Sequence, residues 1–526
     1  MVATHSVTLD GVSGRPIEVE VDISNGMPAT LVVGLADAIV TEARERVRAA
    51  VVNSGTGWPD QRVTINLAPS TVPKSGSHHD LAIAVALLAA KRLVPEPALR
   101  DVVMLGELAL DGRARAVRGV LPATFAAAEA GYSTIVVPEV NVAEAELVPG
   151  IRVVGIRSLR HVIALLTGGE VPDDPPVEPL ERSSGHQGWG GSGHLGDLDL
   201  ADVAGQEDAR IAVVVAAAGG HHLLMSGPPG VGKTMLAQRL PGLLPALGRD
   251  EALEVSAIHS LAGVLASDAP LVERPPFVDP HHTASAVSIV GGGSRGIKPG
   301  ALSVAHRGVL FLDEAPEFAS NVLEALRQPL ESGHVVVSRS AQTARFPARF
   351  QLVLASNPCP CGRGGTTGEA CECTPTTVRR YRDRISGPVR DRIDIHRTVV
   401  APTRPELAHA LGNGRSTDDL AHLVLAARER QARRLDGSPW RVNTDVPGVE
   451  LRKRWPVTDQ GRVLVENGLR SRRLSPRSAD RALRVAWTVA DLRGHDRPAG
   501  QDVELALALR GDVPLGTGLR DLVEAS

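Results

Sequence analysis

Residues 227–234 read Gly-Pro-Pro-Gly-Val-Gly-Lys-Thr, a spacing with one well-defined chemical use. Gly227, Gly230 and Gly232 let the backbone wrap closely, so the loop they make with Pro228, Pro229 and Val231 can turn N–H groups and a helix N-terminus towards phosphates. Lys233 supplies a point charge for the β- and γ-phosphates, and the Thr234 hydroxyl is placed for Mg²⁺. The flanks give the context this pattern needs. His221–Ser226 reads as a short buried strand and Met235–Leu240 resumes with helical spacing. Strand, glycine-rich turn and helix together specify a phosphate cradle rather than a turn that happens to carry a lysine.

A second acidic motif completes the chemistry. Val309–Leu312 is an apolar strand that ends in Asp313 and Glu314. After a phosphate loop, the first acid would hold Mg²⁺ through water and the second would orient and polarise the attacking water. The chain therefore reads as a nucleoside-triphosphate hydrolase that uses ATP and Mg²⁺. A further strand, Phe350–Ala355, ends at Ser356 and Asn357; taken alone, a polar residue at that point reads as a strand-to-turn cap. Immediately after it come Cys359, Cys361, Cys371 and Cys373, which are all the cysteines in the chain. Four thiols in one polar loop suit a tetrahedral Cys₄ zinc site, although C-x-C is tighter than usual finger spacing.

Composition narrows the class. The chain has 526 residues, 43% of them hydrophobic, so the length suggests two to four domains with packed cores. A net charge of −3 excludes a globally basic nucleic-acid coat but not a local patch. Lysine occurs only at 74, 91, 233, 298 and 453, so the cationic surface is mostly guanidinium. Aromatic content is 2%, which argues against general reliance on base stacking. Neither a membrane-spanning run nor a signal peptide is evident, and the cysteines do not form an extracellular disulfide framework. A soluble cytoplasmic protein is the expectation.

The elements that must hold these residues follow in order. Residues 1–170 read as one α/β domain, with strands at Val7–Leu9, Ile17–Val21, Thr30–Val33, Val63–Leu67 and Ile135–Pro138. Helices are predicted at Ala36–Asn53, Asp80–Ala90 and Leu121–Ala130, and Gly106–Gly112 reads as a strand entering an Asp-Gly turn. Residues 171–196 have linker composition. Residues 197–400 form the nucleotide domain, opened by a helix over Glu207–Ala218. From 401 to 526 the pattern is helical, with a helix over Ala479–Leu492 entered through Pro476.

Taken together, these motifs resemble an AAA+ ATPase with a helical lid. In that setting Asn357 implies sensor 1, Arg392 within Gly387–His396 implies an arginine finger, and Arg477 implies sensor 2. Arg390 stands where the resemblance leads one to expect an apolar residue. More closely, nearly the whole chain resembles the ComM/YifB group of magnesium-chelatase-like AAA+ proteins. The stretches that carry this are Val203-Ala-Gly-Gln206, Ala216-Ala-Ala-Gly-Gly-His221, Pro280-His-His-Thr-Ala-Ser285, Leu326-Arg-Gln-Pro-Leu-Glu331 and Asn357-Pro-Cys-Pro-Cys-Gly362. The resemblance implies a homo-oligomeric ring, expected to be hexameric, with ATP at subunit interfaces. It also implies a helix-2 insert around His281–Lys298 and a hairpin from Val335–Val337 to Ala341–Arg345. Arg295, Lys298, Arg339 and Arg345 then become candidate DNA-backbone contacts.

The N-terminal domain resembles the Lon-protease-like fold, on Pro73–Ala82 and Gly131–Pro138 followed by Asn141. His78 stands where Lon places its nucleophilic serine, and no lysine occurs between 92 and 232. A scaffold or a binding module without peptidase activity is expected, with Ser75 or Ser77 as the alternative nucleophile. ComM-type relatives imply a DNA motor acting in helicase or branch-migration steps on single-stranded or branched DNA. The alternative is a chelatase-like or protein-remodelling ATPase that acts on a protein partner.

Overall fold

The structure is a computed structural model that describes residues 1–34, 38–71, 74, 76–180, 195, 198–293, 297–339, 342–364, 371–403 and 414–515. Alternating apolar residues in the first third give β1 (Val2–Asp10), β2 (Ser13–Ser24), β3 (Ala29–Val33), β4 (Arg62–Ala68), β5 (Val102–Met104), the short pair β6 (Glu107–Leu108) and β7 (Ala114–Arg115), β8 (Thr134–Pro138) and β9 (Arg152–Ile156). Seven of these form one mixed sheet in the order β3-β4-β2-β1-β5-β8-β9. The helix Asp80–Ala90 is apolar all round, and so it is buried all round against one face of this sheet. Helix Val120–Glu129 covers the other face. The expected helix from Ala36 begins at Ala38, with residues 35–37 outside the described set. β5, β9 and the helix Leu159–Thr167 went unpredicted because their apolar runs are short.

The second sheet is built from β10 (Leu223–Ser226), β11 (Phe277–Val278), β14 (Val309–Leu312), β17 (Gln351–Ser356) and β18 (Ile395–Thr398). Its order is β11-β14-β17-β10-β18, parallel throughout. Both faces of such a sheet are covered, which is why these strands read as continuous apolar runs rather than alternations. The order places the carboxyl end of β10 beside those of β17 and β18, with that of β14 next along. This is a parallel α/β arrangement consistent with an AAA+ P-loop fold. Two hairpins stand off it: β12 (Gly291–Gly292) with β13 (Lys298–Pro299), and β15 (His334–Arg339) with β16 (Gln342–Pro347). They fall in the stretches read as inserts, the first only from Gly291 on, and the 294–296 tip with Arg295, as well as Ala341, lies outside the described residues.

The C-terminal stretch is helical: Thr417–Leu435, Gly448–Arg454, Asp459–Arg470, Pro476–Arg493 and Gly500–Gly511. Ser416 caps the first with a reciprocal capping box, and Ser475 caps Pro476–Arg493, whose first helical residue is the proline. These helices share one apolar core with helix Glu207–Gly219 and the adjacent face of the second sheet. Among the described residues no helix is long and apolar enough to cross a membrane. The two sheets are joined where Leu121, Phe125 and Val148 meet Ala257 of helix Arg249–Ala262. Beside this contact the Gly119 N–H donates to Ser260 Oγ at 2.8 Å, and Ser260 in turn donates to the buried Glu144.

Candidate nucleotide site and cysteine cluster

β10 delivers the chain into the glycine loop, and helix Lys233–Leu243 leaves it. Gly230 and Gly232 take φ values of +77° and +94°, where a side chain would be strained. Lys233 is buried, and its ammonium donates to the carbonyls of Gly227 (2.6 Å) and Pro228 (2.8 Å) and to Asn357 Oδ1 (3.1 Å). Burial lowers its pKa, while Asp313 and Glu314 pull it back up. Thr234 Oγ1 donates to Asp313 Oδ2 at 2.7 Å, and the Glu314 N–H donates to Asp313 Oδ1 at 2.8 Å. Three strand ends thus bring Lys233, Thr234, Asp313, Glu314 and Asn357 together. Thr234 and Asp313 offer two adjacent oxygens suited to Mg²⁺.

The loop borders a cavity of about 920 Å³, whose wall includes Asn357, Cys359, Tyr381 and Asp512. A volume of that size accommodates a nucleoside triphosphate. Asp512, just beyond the last helix, accepts the Thr398 N–H at 2.6 Å, which ties the C-terminal region to this wall. Glu314 sits at φ +48°, an uncommon backbone conformation for a non-glycine residue that over-determined surroundings must hold. Its carboxylate lies 3.5 Å from His282 Nδ1.

Two predicted residues do not join this group. Arg392 points to the other side of the domain, where it pairs with Glu331 and donates to the Pro388 carbonyl at 2.6 Å. There it borders a separate cavity of about 860 Å³ with Arg349, Arg481 and Arg484. Burial lowers its pKa, with help from the neighbouring Arg481, Arg327 and Arg477. Arg477 pairs with Asp391 at 3.5 Å, its side chain 82% exposed. Arg390 points the opposite way from Arg392: it borders the cavity beside the phosphate loop and donates to the Arg382 carbonyl at 2.8 Å. The two arginines flanking Asp391 therefore serve different faces.

The four cysteines converge, with all their sulfurs within 4.8 Å of one another. Cys359 lies 3.3 Å from Cys361 and 3.6 Å from Cys371, and Cys361 lies 3.6 Å from Cys371. These are not disulfide lengths. Zn–S bonds of about 2.3 Å in a tetrahedron require S···S edges of roughly 3.8 Å, so the donor set fits such an ion with little adjustment. The Arg363 N–H, followed by the Cys359 thiol, pushes Cys361 down to about 6, whereas Cys371 and Cys373, which share hydrogen bonds with the neighbouring sulfurs, are pushed up. The loop also abuts the phosphate cradle, since a Cβ on Gly362 would lie 2.7 Å from the Pro229 ring.

Of the DNA candidates, Lys298 is exposed on β13, and Arg345 on β16 sets a guanidinium nitrogen 3.0 Å from His334 Nδ1. Arg339 ends β15. In the first sheet His78 Nε2 lies 2.9 Å from the Val7 carbonyl, and Ser77 donates to Glu107. Lys74 is fully buried and donates to the Pro69 carbonyl. Ser75 lies outside the described residues.

Sequence reasoning missed three contributors. His282 had a signal, the paired histidines in Pro280–Ser285, but nothing local links it to Glu314. Gln206, at φ +56°, donates to the Val231 carbonyl and braces the loop. Buried Asp394 is paired with Arg481 at 2.7 Å and lies 3.4 Å from His221 Nδ1, joining β18, β10 and the C-terminal helices. Burial would raise its pKa, but the His221 hydrogen bond and Arg481 outweigh that and hold it well below the usual carboxylate range.

Comparison with known proteins adds a family context. The family model described as magnesium chelatase, subunit ChlI, matches residues 199–407. Two companion models, for subunit ChlI of Mg-chelatase and for the ChlI C-terminal region, match 19–141 and 414–510. A Mycobacterium tuberculosis protein whose name assigns no activity is 47% identical over 507 residues, covering 96% of this chain and 97% of its own length. Escherichia coli YifB is 40% identical over 507 residues, 96% of each chain. The competence protein ComM of Haemophilus influenzae is 39% identical over 505 residues, also 96% of each.

Proposed function

The chain belongs to the ComM/YifB group of magnesium-chelatase-like AAA+ ATPases, and we propose that it is a Mg²⁺-dependent ATP hydrolase that works as a ring-shaped DNA motor. The observation that carries the ring is the separation of Arg392 from its own phosphate loop. Arg392 and Arg477 lie together beside Asp391, on a face that does not border the nucleotide cavity. A subunit that faced its neighbour with this side would offer both guanidiniums to the neighbour's ATP, and repetition of that heterologous contact closes a ring. Six copies are the proposed number.

The chain's own residues divide the reaction. Lys233 and the loop N–H groups hold the β- and γ-phosphates. Thr234 and Asp313 hold Mg²⁺, which when bound neutralises charge that develops on the phosphates. Glu314, fixed by its backbone conformation, orients and polarises the attacking water, and Asn357 positions it from the neighbouring strand end. Arg392 of the adjacent subunit stabilises charge in the transition state, with Arg477 beside it as the second sensor. Cys359, Cys361, Cys371 and Cys373 hold zinc and brace the loop against Pro229. The N-terminal sheet is a Lon-like scaffold without peptidase chemistry, since His78 and Ser77 are spent on Val7 and Glu107. The C-terminal helices serve as the lid.

DNA as the substrate is supported by full-length likeness to a competence protein and by charge. Between Arg428 and Arg497 there are 17 Arg/Lys against 9 Asp/Glu, a local excess of 8 on a chain of net charge −3. Lys298, Arg339 and Arg345 on the two hairpins are the proposed backbone contacts, with Arg295 between Lys298 and the first hairpin strand in sequence. Such grip is salt-sensitive and weakly sequence-selective. ATPase rate measured with and without single-stranded and forked DNA tests the reading. Stimulation is expected, whereas an unchanged rate together with no DNA binding at low salt would favour a protein substrate.

A further inference from the structure

Tryptophan is scarce here, five residues in 526, yet three of the five gather in the C-terminal helical region, Trp487 within a helix and Trp440 and Trp455 in the turns beside it. Trp440 and Trp455 meet edge to face at 6.3 Å, and the Trp487 indole N–H donates to the Trp455 carbonyl at 3.0 Å. Beside them opens a cavity of about 520 Å³, bordered by Arg430, Arg433, Arg434, Arg454 and Arg497, with Trp455 and Trp487 in its wall. Its acids are Asp491 and Asp496.

The arginines are held in two different ways. Arg434 lies over Trp487 at 4.1 Å and forks onto buried Asp491 at 2.5 and 2.7 Å, so its charge is matched. Arg454 pairs with Glu450 at 2.9 Å. The other three meet only carbonyls among the described residues. Arg430 donates to the Asp491 carbonyl at 2.6 Å, Arg433 to Glu429 at 3.4 Å, and Arg497 to Pro456 and Val457, both at 3.1 Å. Carbonyl acceptors fix a guanidinium without neutralising it. Three guanidiniums held by carbonyls alone, against Asp496 and with Trp455 in the same wall, make a receptor for a phosphodiester group with its attached base.

We propose that this cavity binds a phosphate of single-stranded DNA, with Arg430, Arg433 and Arg497 on the phosphate oxygens and Trp455 against the base or sugar. This rests on the DNA reading above and assigns part of the grip to the C-terminal helices, apart from the two hairpins. Arg433 is the cleanest probe, because it is exposed and its one hydrogen bond among the described residues is to a carbonyl of its own helix.

The test is binding of a fluorescent oligothymidylate to full-length protein across a salt series, with ATPase rate and thermal melting recorded on the same samples. Arg433→Gln should weaken binding about tenfold and lower the salt slope by about one, and Arg433→Lys should restore part of both. The Arg433→Gln, Arg497→Gln pair should weaken binding further, with melting and DNA-free ATPase unchanged. Oligothymidylate should quench tryptophan fluorescence in the wild type, and less in Trp455→Leu. If wild type binds the oligonucleotide and Arg433→Gln binds it equally, the site is wrong and the motor reading survives. If wild type binds no oligonucleotide at low salt, both fall.

Discussion

The two sheets each bury a lysine and place carboxylates nearby, and they do opposite things with them. In the first sheet Lys74 is closed off on the Pro69 carbonyl, while Asp80 is fully buried and forked onto Arg46 at 3.0 and 3.1 Å. In the second, Lys233 is held by the carbonyls of Gly227 and Pro228, which themselves line a nucleotide-sized cavity, Asp313 shares its oxygens with Thr234 and the Glu314 N–H, and Glu314 has 48% of its side chain exposed. Burial of a charge therefore marks chemistry only where the partners leave an open approach. In the first sheet Asp80 is matched by Arg46 and closed off from solvent, so that pair serves packing.

Substitutions that respect this contrast should separate cleanly. Lys233→Ala should abolish nucleotide binding by equilibrium titration, while Glu314→Gln should bind ATP and hydrolyse it at least ~100-fold more slowly. Wild-type turnover in Glu314→Gln would remove that residue from its role. Arg392→Ala should assemble yet lose about 10³-fold or more in kcat. Mixing it with Lys233→Ala subunits should recover activity if the arginine acts on the neighbour's nucleotide, and should not if it acts within its own chain.

The cysteine loop should give a smaller effect. Metal analysis should find one zinc per chain, and Cys371→Ser should release it and raise KM for ATP about tenfold, because the loop packs on Pro229. Protein with four free thiols and no metal would contradict this. The smallest effect lies in the first sheet and appears only in stability. Burial raises the Asp80 pKa to about 7, against the opposing pull of Arg46. Between the unfolded value near 3.9 and about 7 the folded state holds more protons, so this group's contribution to stability falls as pH rises through that window and then levels off. Melting curves at pH 5 and 8 should show that decline in wild type and a flatter response in Asp80→Asn, with ATPase unchanged.

Local chemistry was legible in the chain; placement across it was not. The phosphate loop, the acid-tipped strand, Asn357 and the cysteine loop each lie within a short span whose order fixes its geometry. The Asp80–Ala90 helix was readable because its apolar run admits only a buried helix. Which way Arg392 points was not, since a two-residue step across Asp391 turns Arg390 to the cavity and Arg392 to the opposite face. The His282–Glu314 and Asp394–His221 contacts join residues far apart in sequence through the parallel sheet, and no spacing encodes them. Low aromatic content suggested little stacking, a fair average that misses three tryptophans gathered in the C-terminal helical region.

The central claim is a motor on DNA, and displacement of a labelled strand from a forked duplex tests it most directly. Wild-type protein should release the strand only with ATP and Mg²⁺, Glu314→Gln should bind the fork without releasing it, and added salt should weaken both. A protein that hydrolyses ATP briskly yet neither binds the fork nor displaces the strand at low ionic strength would contradict the account.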